Sequence, residues 1–459
     1  MDIMESLVKN IINSEFEDIP PEAITAAKKA IIDTVGVMIA GSSVKGCQIL
    51  VDYLRRWGGR KESTIAVFGE KLPCNHAAQA NGAMARAWEI DDITDRFPLH
   101  PSASIVPTCL AVAEYVGEKS GKEFITAVAL GQDLVIRMAF ANKVSPVTSG
   151  RYNLFRVFSS TGSAGKLLGL SEEELLNAMG IVYSQMVGDG QAAREGVMTS
   201  YIQQGTISKS AIESTFMAQA GITGSKDVLQ GPFGFYNAFE PDPDLEILTS
   251  DLGVRFLGTE LSTKLYTACR FNHEAIDLAL DMVREEELNQ DSIDKITVRV
   301  PEQMYTMCCH PLDKKRHPKT LVEAQFSTPY TVAAAIVRGD VFIDELSDQA
   351  INDPEILELA QRITPIIDSE CQTDLVIGST VMEIKTHGGQ EFSKKIKFPR
   401  GNPKNPVDMD GVIEKLRKCV KYSIHPFSTD QIDKMVDILC NIEQVDNVTK
   451  LPQLFVSNP

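Results

Sequence analysis

Through most of the first half of the chain, apolar residues recur at helical spacing. After Pro20-Pro21, the positions Ile24, Ala27, Ile31, Val35 and Met38 fall on one face, and Gly41 supplies a stop. Ser171 followed by Glu174 has the form of a capping box, and it opens a second apolar face through Leu175, Leu176 and Met179. The helix before it ends at Leu167-Leu168-Gly169. Small residues at 77–87 and 161–165 permit close helix packing. No run of alternating strand positions precedes about residue 290.

The period then changes. Residues 293–300 alternate as Ile-Asp-Lys-Ile-Thr-Val-Arg-Val and stop at Pro301, which predicts a strand. A second strand at 381–385, a turn at His387-Gly388-Gly389 and a return at 391–397 predict a hairpin. Segments 331–337 and 353–362 between them carry helical spacing. The expected fold is mostly α with an α+β second domain. A large helical domain spans 1–260 and is completed by 405–459, with a smaller α+β lid domain inserted at 261–404. The turn-rich stretch 399–406 returns the chain to the first domain.

Composition narrows the function classes. At 459 residues the chain is too long for one hydrophobic core, which agrees with two domains. Forty-five Lys and Arg against 62 Asp and Glu give a net charge of −17, which disfavours nucleic acid and anionic membrane as partners. Apolar stretches such as 35–40 are too short to cross a bilayer, and the N-terminus lacks the basic and apolar regions of a signal peptide. A soluble, cytoplasmic protein is expected. The nine cysteines are scattered without a C-x-x-C pair, so they are expected to be small buried thiols rather than disulfides or metal ligands.

Phosphate-cradling and nucleophile-elbow motifs are absent, which leaves polar clusters in apolar surroundings as the candidate chemistry. The first runs from Glu89 through Asp91, Asp92 and Arg96 to His100-Pro-Ser102; it can hold an acid or base with its orienting partners, or simply be a solvated loop capping the next helix. The second, Lys264 to His273 with Tyr266 and Arg270, can clamp carboxylates while one group moves a proton, or be an amphipathic helix entrance. A third contains Tyr330, as a hydroxyl donor or as ordinary core. Arg400, between Pro399 and Gly401, reads by itself as a turn. Cys308, Cys309, His310 and His317 lack metal-ligand spacing, so no metal is expected.

Taken in order, these segments resemble the MmgE/PrpD family, which includes 2-methylcitrate dehydratase, cis-aconitate decarboxylase and iminodisuccinate epimerase. The matching stretches are Asn81 to Asp92, His100 to Glu114, Gly165 to Leu170, Lys264 to Ile276, Ala324 to Ala335, and Pro399 to Pro406. The resemblance covers nearly the whole chain. It implies a helical domain built from both termini with an α+β lid between, a homodimer, no organic cofactor, and a small di- or tricarboxylate bound at an interdomain cleft. By position it places Asp91, Asp92 and His100 on the helical side, with Lys264, His273 and Tyr330 on the lid.

Three departures bear on activity. Dehydratases and decarboxylases of this kind carry a Gly-aromatic-His segment where this chain has Gly150-Arg151-Tyr152, and a Thr-Lys pair where it has Thr199-Ser200. The first acidic position, often Asp, is Glu89. The reactions of the family share carbanionic charge developing beside a carboxylate, so donors and cations must be placed where it appears. Lys264 is the preferred acid/base on one face, with Tyr152 or His100 on the opposite face, and Asp92 is a further catalytic candidate. Arg270, Arg400 and Arg96 are candidates for holding carboxylates. The leading expectation is a 2-methylcitrate-dehydratase-like hydro-lyase. An epimerase or isomerase of a dicarboxylate and a cis-aconitate-type decarboxylase are the alternatives, and a non-catalytic carboxylate-binding homologue is the reading from another class.

Overall fold

The structure is a computed structural model that describes residues 2–144, 150, 154–373 and 375–457. The chain divides into two units, one formed by Met1–Leu261 with Asp408–Pro459 and the other by Ser262–Val407.

The first unit is built from helices: α1 (Ile3–Asn13), α2 (Pro21–Gly41), α3 (Lys45–Trp57), α4 (Cys74–Arg86), α5 (Ser102–Val116), α6 (Gly121–Ala141), α7 (Arg156–Leu168), α8 (Glu172–Tyr183) and α9 (Thr199–Gln219). Local chemistry sets their ends. Ser120 and Ser171 each form a capping box, as the Ser171–Glu174 spacing predicts, and Gly169 ends α7 in the left-handed conformation. Two-residue strands β1 (Ser63–Thr64) and β2 (Lys71–Leu72) pair antiparallel; they are too short to give an alternating pattern, so the sequence showed none. Helices α4 and α9 approach most closely through glycine: a Cβ on Gly205 would meet the carbonyl oxygen of Gln79 at 1.9 Å.

Helix α6 corrects one expectation. It is 21 residues long and apolar enough to span a membrane by length and composition, yet its apolar window is wholly buried within the protein. Asp133 and Arg137 interrupt the apolar run and pair at 2.7 Å inside the core. Arg137 also donates to the carbonyls of Ser250 and Arg255, both at 2.6 Å, and Asp133 accepts from Leu257 N at 2.7 Å. These bonds fasten the irregular segment 245–260 to α6 and satisfy two charges that would otherwise be costly to bury.

In the second unit a four-stranded sheet has the order β4-β3-β5-β6, from β3 (Ile293–Val300), β4 (Ile363–Ile367), β5 (Thr380–Thr386) and β6 (Glu391–Ile396). The predicted strand and hairpin are β3, β5 and β6, and β4 adds a parallel edge. Helices α10 (His273–Glu285), α11 (Thr328–Arg338) and α12 (Pro354–Gln361) pack with this sheet and with one another. Alternate residues of β3 (Ile296, Val298 and Val300) are buried, as the two-residue period requires. The chain then returns to the first unit with α13 (Met409–Val420) and α14 (Thr429–Cys440), and α13 packs on α2. The nine cysteines are thiols outside any disulfide, eight of them buried.

Candidate active site

In the first unit the acidic segment lies between α4 and α5. Glu89 takes φ 56, a left-handed conformation that non-glycine residues adopt rarely, and turns the chain back toward the end of α4. Arg86, on the last turn of α4, contacts the Glu89 carboxylate and lies 3.1 Å from Asp91 Oδ1. Asp91 Oδ2 is 3.1 Å from His100 Nδ1, while Arg86 reaches 3.4 Å from His100 Nε2. His100 Nε2 can accept from the guanidinium, while the Asp91 carboxylate lies beside Nδ1. A bond from Thr94 N to Leu99 O at 3.0 Å closes the loop that brings His100 back to Asp91.

Asp92 is buried beside this pair. Its carboxylate accepts from Ser102 N at 3.2 Å and from the Ser102 hydroxyl, which in turn accepts from Gln132 Nε2 at 2.8 Å. Burial pushes the Asp92 carboxyl up to about 7; the Ser102 hydroxyl opposes this, and the charges of Asp33 and Asp91 reinforce it. Asp91, Asp92 and His100 are therefore gathered in one buried cluster. Arg96 is exposed instead, with its guanidinium 4.5 Å from the Phe140 ring centre. Tyr152 lies outside the described residues.

In the second unit, Lys264 and His273 meet at the Ala268 carbonyl, and Arg270 joins them through the His273 ring. Lys264 Nζ donates to Ala268 O at 3.2 Å, and His273 Nε2 lies 3.3 Å from the same oxygen. Arg270 approaches His273 Nδ1 at 3.3 Å, which fits an imidazole protonated at Nε2 and accepting at Nδ1. Arg270 also reaches the carbonyl of Arg400 at 3.4 Å. Lys264 and His273 are wholly buried.

Arg400 is anchored by Asp277. Its Nε donates to Asp277 Oδ1 and its backbone N–H to Asp277 Oδ2, both at 2.7 Å. Tyr266 donates to Asp277 Oδ1 at 2.6 Å and accepts from Arg400 at 2.8 Å; burial first, then Asp277, raises the phenol pKa. The next residue, Gly401, has φ 87, and a Cβ there would meet Thr263 O at 1.9 Å. The turn can therefore lie against the strand-like entry to Lys264. Tyr330 stands apart from this group: it is part of the unit's interior, and its hydroxyl donates to Glu345 O at 2.7 Å.

Sequence reasoning did not single out Arg86, Gln132, Asp277 or the anchoring use of Tyr266. Asp277 alone had a local signal, because it follows His273 by four positions on α10 and so shares its face. Gln132 reaches Ser102 across 30 residues, a contact that only the packing of α6 on α5 creates.

The comparisons agree over the two halves of the chain. Residues 5–248 match the MmgE/PrpD N-terminal domain and residues 266–439 the MmgE/PrpD C-terminal domain. A cis-aconitate decarboxylase of Aspergillus terreus is 24% identical over 96% of this chain and 93% of its own length. The human cis-aconitate decarboxylase is 24% identical over 98% and 94%. The 2-methylcitrate dehydratase of Escherichia coli is 22% identical over 91% and 89%. With both domain families matched in order across most of its length, the chain belongs to the MmgE/PrpD family.

Proposed function

We propose that this protein is a lyase acting on a small polycarboxylate, with the proton transfers made by its own side chains. The observation that carries this reading is Asp92, a buried carboxyl raised to about 7 beside the Asp91–His100 pair. A polyanion is repelled by ionised carboxylates, but a protonated Asp92 donates a hydrogen bond to it and is also poised to deliver a proton near neutral pH. Asp91 and Arg86 orient His100 as the companion group. The basic side chains of the second unit, Arg270 and Arg400, are assigned to substrate carboxylates, and Lys264 to proton transfer.

Decarboxylation of cis-aconitate is the first reaction to test, because relatives with that name align over more of the chain than those named 2-methylcitrate dehydratase. In that reaction the bond to the departing carboxylate breaks and CO₂ leaves. The electron pair delocalises into the remaining unsaturated carboxylate, and a proton from Asp92 is added at carbon. Solvent then reprotonates Asp92. In the dehydration alternative a base removes the α-proton, and the β-hydroxyl takes a proton from the acid Asp92 and leaves as water. The reading departs from the hydro-lyase expectation of the sequence on this one point.

A second reading, epimerisation of a dicarboxylate, is favoured by Ser200 near the start of α9, where the resembling lyases carry Lys. One experiment separates these outcomes: incubation with cis-aconitate, 2-methylcitrate and a panel of dicarboxylates in D₂O, followed by NMR. Release of CO₂ with deuterium in the product supports the decarboxylase, and an alkene from 2-methylcitrate supports the hydro-lyase. Inversion with exchange supports the epimerase. Binding without any turnover across the panel would sink the enzymatic reading.

A further inference from the structure

Helix α13 carries a cation into the interior of the first unit. Lys415 is only 4% exposed, and its Nζ lies 2.5 Å from Asp33 Oδ1 on α2. The same ammonium donates to the carbonyl of Ile90 at 2.6 Å. Ile90 directly precedes Asp91 and Asp92, and Glu89 before it holds the left-handed turn.

A buried pair that merely fastened α13 to α2 would account for Asp33 and Lys415. It would not account for the third contact, which fixes the peptide plane entering the acidic pair. Charge ties the groups as well. Burial raises the Asp33 carboxyl, Lys415 opposes that shift and Asp91 adds to it, while Asp33 in turn raises Asp92. Asp33, Asp91 and Asp92 are thus electrostatically linked, and Lys415 is the cation set against the first of them, as Arg86 is against the second.

We infer that Lys415 is a positioning residue for the acidic cluster, acting through the Ile90 carbonyl to set the orientation of Asp91 and Asp92 while it neutralises Asp33. This rests on the reading of that cluster as the proton-transfer group. The C-terminal segment is then part of the site's construction, although the sequence places it more than 300 residues away.

The test replaces the pair by apolar side chains, Asp33→Leu/Lys415→Leu, a change that buried ion pairs often tolerate. Circular dichroism and a thermal melt establish that the variant is folded. Turnover of cis-aconitate is expected to fall in kcat by about tenfold or more with KM within about twofold, as for a misplaced catalytic group. Lys415→Arg, which keeps the charge, is expected to recover part of the loss. A folded double variant with wild-type kcat and KM overturns the inference. If the apolar pair does not fold, Asp33→Asn/Lys415→Gln is read in the same way.

Asp92→Asn is measured in parallel. Retained kcat in that variant overturns the functional reading, whereas loss there with wild-type kcat in the double variant overturns only the role of Lys415. Should the wild-type protein not turn over cis-aconitate, amide shifts of Asp91 and Asp92 in ¹⁵N-labelled Asp33→Leu/Lys415→Leu and wild-type protein decide the point. Displaced shifts confined to that segment support positioning, and unchanged shifts overturn it.

Discussion

The carboxylate of Asp92 accepts both the backbone N–H and the hydroxyl of Ser102 at the first turn of α5. A helix N-terminus and two donors favour the anion, and complete burial disfavours it. Burial wins, leaving the group near pH 7 rather than in the ordinary carboxylate range. A carboxyl serving only as a helix cap would gain from being ionised, so this balance sacrifices stability at the position where proton transfer is proposed.

Asp92→Asn is therefore expected to separate stability from activity. The carboxyl lies at about 7 in the folded protein against a reference of 3.8, so the unfolded chain gives up this proton first as pH rises. Its contribution to stability is fully present below about pH 4 and is lost as pH rises through about 7, by roughly 4 kcal/mol at most. The variant lacks that loss. Its Tm advantage over wild type should be small at pH 5 and larger at pH 8, while turnover falls by about 10² or more. A Tm difference that does not grow with pH would contradict the raised carboxyl.

Lys264→Met preserves most of the buried side-chain volume and removes the amine. Turnover of cis-aconitate should fall by about 10² to 10⁴, the usual range for a positioned acid or base, with near-wild-type circular dichroism. NMR of the product measures it, and unchanged turnover removes Lys264 from the mechanism.

Asp277 and Arg400 should be energetically coupled. Arg400 is partly exposed, so the pair is worth less than a fully buried one; a double-mutant cycle of Asp277→Asn and Arg400→Gln in urea melts should give about 1 kcal/mol. Each single variant should raise KM for a polycarboxylate more than it lowers kcat, because the guanidinium is assigned to binding. Additive effects on both stability and KM would count against the anchoring role of Asp277.

Tyr330→Phe discriminates between an interior phenol and a substrate donor. The hydroxyl already donates to Glu345 O, so its loss should cost about 1 kcal/mol of stability in urea melts. Turnover is expected to stay within about twofold of wild type. A hundredfold loss of kcat in a folded variant would return Tyr330 to the site.

The helices were legible where one face is apolar and a cap marks the start, as in α2 and α8. The strands β3, β5 and β6 were legible from their alternation and the Gly388-Gly389 turn. Strand β4 was not, because its run Ile-Thr-Pro-Ile-Ile follows a helix without a break and Pro365 argues against a central strand; it occurs on an edge, where a missing N–H is tolerated. The candidate site was legible only as separate segments around Asp91, His100 and Lys264. What joins them to their supports was not: Gln132 to Ser102 and Lys415 to Ile90 are contacts made by tertiary packing with no local pattern to announce them, and the spacing of Asp277 from His273 did not reveal its bond to Arg400.

The return of the chain to its first unit has a consequence for biosynthesis. Residues 1–261 leave the ribosome well before 408–459, so a nascent chain holds Asp33 and the acidic segment without the helix that carries their cation. During that interval the α13-facing side of α2, an apolar surface containing a carboxylate, has no native cover. The second unit can complete its sheet in this time, since its strands all precede residue 397. A chain halted before α13 would carry every proposed proton-transfer residue, but Asp33 and the Ile90 carbonyl would lack their contacts with Lys415.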